Sequence, residues 1–131
     1  FIGEWGLPGG MYDDRFPREQ VEKLNPLRWI LQEEVPMAFG SDCMPFDPLY
    51  GVESAVNTPY QAQKLTPEEA IRAYTNGSAY SEFSESEKGL IAEGVLADLV
   101  LLDGNPEERQ EEIESLEVKL TLLGGEVVFR K

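Results

Sequence analysis

Val35-Pro36-Met37-Ala38-Phe39-Gly40-Ser41-Asp42 is an apolar run that ends abruptly in a small residue, a hydroxyl and a carboxylate. A run this short, bounded by turn residues, predicts a strand over 35–40 that is buried on both faces. In parallel-sheet and barrel architectures chemistry gathers at the carboxyl ends of such strands. Asp42 is therefore the leading candidate for a functional carboxylate. The chain contains no histidine. Any metal or acid–base site that needs an imidazole must draw it from elsewhere, so Asp42 reads as one piece of a site.

Composition narrows the partners. A length of 131 residues suits one ordinary domain or part of a larger one, and 41% hydrophobic with 27% charged residues is a globular balance. Eleven basic against 25 acidic residues give a net charge of −14. Such an acidic chain is a poor ligand for phosphates, which argues against nucleic acid and against anionic membranes. Solubility, or a surface laced with ion pairs, accounts for the acidity more simply. Cys43 is the only cysteine. It allows no internal disulfide and no cysteine zinc cluster, which fits a reducing cytoplasm. No stretch reaches the roughly 18–20 apolar residues of a membrane span. Phe1-Ile2-Gly3-Glu4-Trp5 lacks an initiator and a basic leader region, so the chain reads as an excised or processed segment.

Local signals order the rest. Residues 1–17, rich in Gly and Pro, predict an irregular loop. Asp13-Asp14 within it is a candidate cation pair, although two carboxylates in such a loop ordinarily make turns. Residues 18–34 carry Leu24, Leu27, Ile30 and Leu31 at the spacing of a buried helical stripe. Asn25-Pro26 offers a cap followed by proline at the first helical position, giving a secure helix over 26–34. A short helix follows over 49–57. Thr66-Pro67-Glu68-Glu69 is a capping box, opening a helix that runs to about Thr75 and stops at Asn76-Gly77. Residues 97–103 predict a buried strand and 106–114 an acidic helix or turn. Val118–Leu123 and residues 126–129 predict a hairpin closed by Gly124-Gly125, pairing also with the 97–102 strand and presenting one packed apolar face.

This order of elements, with Gly89-Leu90-Ile91-Ala92-Glu93-Gly94 and Ala97-Asp98-Leu99-Val100-Leu101-Leu102-Asp103 before the closing hairpin, resembles the end of a metal-dependent amidohydrolase superfamily member, closest to amidohydrolase family 3. The likeness covers roughly residues 24–131. It implies an α/β fold: the last strand and helices of a (β/α)8 barrel over residues 1–86, with that strand at about 35–40. Residues 87–131 would then be the carboxyl-terminal half of a composite β-sandwich. In that family the aspartate after the last barrel strand binds the metal and activates the attacking water, and Asp42 is the matching position. The implied cofactor is a divalent metal of the zinc type. Its histidine and lysine or glutamate ligands lie on earlier strands, so the isolated chain should hold no tight metal and be inactive. The implied partners are the upstream remainder of the barrel and a small-molecule substrate with a C–N bond, of amide, cyclic amide or deaminase type.

Plainer readings stand beside these. Asp42 and Ser41 can serve as turn residues, Cys43 as a small buried hydrophobe, and Asp98 and Asp103 as turn and edge residues. Tyr74 and Tyr80 read as packing, whereas Met44, Phe46 and Tyr50 are candidates to line a substrate pocket. The rival reading is a binding or regulatory module that kept the fold without the metal site, and a lesser one is an unrelated α+β domain. The cut edges of strand 35–40 and of the sheet predict either self-association or poor order in residues 1–20.

Overall fold

The computed structural model describes residues 2–42 and 45–131, with helices up to residue 81 and an antiparallel sheet at the carboxyl end. The loop predicted for residues 1–17 is replaced in part by helix. α1 (Met11–Arg15) carries Asp13 and Asp14 in its first turn, where they complement the helix dipole. Asp13 Oδ2 accepts from Gly9 N at 2.7 Å, and Trp5, Tyr12 and Phe16 stack edge to face. α2 (Arg18–Val21) ends at the fully buried Val21, whose carbonyl accepts from Gln63 Nε2 at 3.2 Å.

α3 (Leu27–Gln32) starts one residue later than predicted. Asn25 takes φ +51 and gives no side-chain cap; its Nδ2 is buried without a hydrogen-bond partner. Pro26 occupies the cap position instead, its ring fixing φ where the cap would otherwise choose. α4 (Pro48–Asn57) forms as predicted, one residue longer, because Asp47 Oδ1 accepts from Leu49 N at 2.8 Å and Tyr50 N at 3.3 Å. α5 (Pro67–Arg72) opens on the complete capping box of Thr66 and Glu69. Its predicted stop does not occur. Asn76-Gly77 lies inside a π-helical turn, Ala73–Gly77, that passes directly into α6 (Ser78–Ser81). Gly77 is right-handed helical, with φ −62, so it is no left-handed terminator.

The core lies between α3, α4, α5 and a 3₁₀ segment, Gln110–Ser115, that lays the fully buried Ile113 and, just after it, Leu116 against Val52, Ala55 and Val56. The sheet runs β1 (Leu99–Leu102), β2 (Val118–Leu123), β3 (Glu126–Arg130), antiparallel throughout. Leu99 faces Leu122 and Leu101 faces Leu120; across the hairpin Leu122 faces Val127 and Thr121 faces Phe129. Gly124 and Gly125 both take positive φ, +56 and +85, the geometry that suits a two-residue hairpin.

Two expectations are corrected. The apolar face predicted for the sheet is not packed: β3 is exposed along its length, with Phe129 46% exposed, and Val100 and Leu101 of β1 are open. No second layer among the described residues covers it, and register shifts at Leu101/Leu102 and Thr121/Leu122 interrupt the alternation. Residues 35–40 form no strand in this chain. A strand needs a neighbour to pair with, and the described residues supply none at this place. Met37 and Phe39 pack on the helical core, while Val35 and Ala38 are exposed.

Candidate functional site

Asp42 stands at the end of this unpaired segment, exposed, with φ +46. Aspartate tolerates the left-handed region better than most residues, so the conformation is inexpensive but uncommon. Among the described residues no hydrogen bond or ion pair holds its carboxylate. Cys43 and Met44, the residues that follow, lie outside the described residues, and with them the pocket-lining reading of Met44 and the buried reading of Cys43.

Behind the segment is a cavity of about 410 Å³ whose wall includes Asn25, Ser41, Asp47, Tyr50, Ser54 and Tyr74. Tyr50 lines this cavity, whereas Phe46 is 80% exposed and is not part of the wall. Tyr50 Oη donates to Glu4 Oε1 at 2.7 Å. Burial, then the hydrogen bond to Glu4 and its charge, push the Tyr50 phenol up to about 12. Tyr74 packs edge to face on Phe39, ring centres 5.4 Å apart, and burial followed by the charge of Asp47 raises its phenol too. The packing reading of Tyr74 thus accounts for its ring, while its hydroxyl lies against Gly51, where a Cβ would overlap it. Tyr80, by contrast, is half exposed. Among the described residues the wall reaches Ser41 but does not include Asp42 itself.

Reasoning from residue types missed Glu4 and Asn25. Nothing in a Gly-rich amino-terminal stretch marks Glu4 as a partner for a tyrosine 46 residues away. Asp98 and Asp103 do the structural work of turns: Asp98 Oδ1 accepts from Gly124 N at 2.7 Å and Asp103 Oδ1 from Glu117 N at 2.9 Å.

A zinc-type ion needs about three or four protein ligands. Among the described residues no group of three or more His, Cys, Asp or Glu side chains is placed to hold one. Asp42 alone does not make such a site. Nor, among the described residues, is any helix long and apolar enough to cross a membrane.

Comparison with known proteins places the chain. The amidohydrolase family model matches residues 6–129. The chain is 34% identical over 131 residues to the amidohydrolase-type protein YtcJ of Bacillus subtilis, a match spanning 90% of this chain and 25% of YtcJ. It is 31% identical over 125 residues to an imidazolonepropionase of Vibrio cholerae, spanning 94% of this chain and 30% of that protein. Among solved structures it resembles an amidohydrolase from Thermotoga maritima, with TM-score 0.59 and 25% identity over 78% of this chain and 25% of that one. It also resembles a prolidase in complex with N-methylphosphonate-L-proline, with TM-score 0.61 and 27% identity over 92% of this chain and 31% of that one. The chain therefore spans between a quarter and a third of the length of these relatives. Their α/β architecture fits the mixed helices and strands seen here. With residues 6–129 matched by the family model, this chain belongs to the amidohydrolase family.

Proposed function

We propose that this chain is the carboxyl-terminal part of a cytoplasmic metal-dependent hydrolase that cleaves C–N bonds of a small amide, cyclic amide or deaminase-type substrate. Residues 1–86 would close the (β/α)8 barrel and residues 87–131 would supply half of the composite sandwich. The observation that carries the reading is Asp42: an exposed carboxylate, unengaged by any other described residue, at the end of the apolar segment where the family places its aspartate. The short span of the match relative to the relatives agrees with this reading. The bare sheet would gain its cover from the upstream part of the protein.

A divalent metal held in the complete site would supply Lewis-acid activation of a water. From this chain Asp42 would supply one ligand and the group that accepts that water's proton. Replacing it by asparagine keeps shape and hydrogen bonding but removes the basic oxygen. Asp42→Asn in the full-length protein is expected to lower turnover by roughly 10²- to 10⁴-fold with an unchanged circular dichroism spectrum; undiminished turnover would overturn the assignment. Metal analysis of the isolated 131-residue chain should find no stoichiometric zinc. Left alone, the chain should also self-associate through its open sheet edges, visible as a dimer or larger species in light scattering.

A further inference from the structure

The π-helical turn between α5 and α6 does more than interrupt a helix. Phe39 N donates to Ala73 O at 3.0 Å, and Ser78 Oγ lies 3.2 Å from both Phe39 O and Ala73 O, so one hydroxyl is shared between them. Both backbone polar groups of Phe39 are thereby satisfied by this one turn. Within the same turn, Gly77 brings its bare Cα against the Met37 carbonyl: a Cβ on Gly77 would overlap that oxygen. The Phe39 ring is held in turn by Tyr74. An unpaired segment needs some such partner, because a backbone without a ladder neighbour must find its hydrogen bonds elsewhere. π turns often occur at functional sites.

We infer that the Ala73–Ser78 turn is the seat that positions the Asp42 carboxylate, with Gly77 and Ser78 as positioning residues: it clamps Met37 and Phe39, and Gly40-Ser41 carry that placement three residues on to Asp42. The inference rests on Asp42 being the functional carboxylate. Neither residue touches the reacting atoms. Gly77 is right-handed helical, so alanine there meets no conformational penalty, and any effect of Gly77→Ala reports the approach of Met37.

The test is amide hydrogen exchange, residue by residue, on the 131-residue chain. Ser78→Ala should speed exchange at Phe39 roughly three- to tenfold, the loss of about one hydrogen bond, and Gly77→Ala should speed it further. Ser78→Thr, which keeps the hydroxyl, should restore protection. Ser84→Ala, which removes a comparable hydroxyl bond to the Ala79 carbonyl, should leave Phe39 unchanged. In the full-length protein Ser78→Ala should lower kcat by roughly three- to tenfold with KM unaltered. Unchanged exchange at Phe39 in both Ser78→Ala and Gly77→Ala would overturn the seat, as would acceleration only in step with global unfolding. If instead Asp42→Asn retains turnover, the functional reading fails while the exchange data still decide whether the seat exists.

Discussion

Arg28 and Glu69 form a two-pronged ion pair across α3 and α5: Arg28 Nη1 lies 2.7 Å from Glu69 Oε1 and Nη2 lies 2.8 Å from Oε2. The same guanidinium donates through Nε and Nη2 to Lys64 O, and Glu69 Oε2 also accepts from Thr66 N. One carboxylate thus completes a capping box and locks two helices together. The hydrogen bond from Arg28, ahead of the two from Thr66, holds the Glu69 carboxyl below its ordinary 4.5.

Because the folded pKa is depressed, this contribution is present above pH 4.5 and lost as pH falls through the folded value. The stability advantage of the wild type over Glu69→Gln should therefore shrink as denaturant titrations are repeated below pH 4.5. Lysine cannot reproduce the planar fork, so Arg28→Lys should cost about 1 kcal/mol at neutral pH. Equal midpoints for wild type and Arg28→Lys would show that the pair contributes nothing.

Ile113 of the 3₁₀ segment is fully buried against α4, and it ties the carboxyl-terminal third to the helical core. Ile113→Val should destabilise by about 1 kcal/mol and Ile113→Ala by about 2–5 kcal/mol. Chemical denaturation of the two variants measures this; a loss under 1 kcal/mol for alanine would mean the site collapses around the cavity.

Beyond its two chain neighbours, no described atom lies within 4 Å of a Cβ placed on Gly124, yet its φ of +56 disfavours one. Substitution therefore tests conformation without packing. Gly124→Val should cost about 1–2 kcal/mol, whereas Gly124→Asn, which suits the first position of this turn, should be close to neutral. Thermal unfolding that ranks asparagine with valine would contradict the turn geometry.

The Tyr50 phenol, pushed up to about 12, should ionise last among the accessible tyrosines in an ultraviolet titration. Its folded pKa lies above the ordinary 10.0, so the stability it contributes is complete below pH 10 and is lost as pH rises toward 12. Glu4→Gln removes the charge that opposes the phenolate and should bring the transition down. An unmoved transition would assign the shift to burial alone.

Short-range chemistry was legible in the residues themselves. Thr66 and Glu69 close their box within one turn and Gly124-Gly125 turns the hairpin, because each depends only on neighbours three or four positions away. The family was legible too, from the order of the segments around Asp42 and residues 97–103. Other features answered to distant parts of the chain. Gly77 looks like a helix terminator, but the Met37 carbonyl packed against it makes it a point of close approach inside a continuing helix. Residues 35–40 have a strand's pattern, yet hydrogen bonding is a property of pairs, and here the partner is a helix turn at Ala73 and Ser78. Glu4 joins Tyr50, and the cavity sets Tyr74 and Asn25 facing one space, only because folding brings them together. Sequence alone determined the local conformations and the lineage, where each energy term is short in range. Tertiary structure decided which backbone groups are satisfied and by what, because desolvation penalises any polar group that folding leaves without a partner.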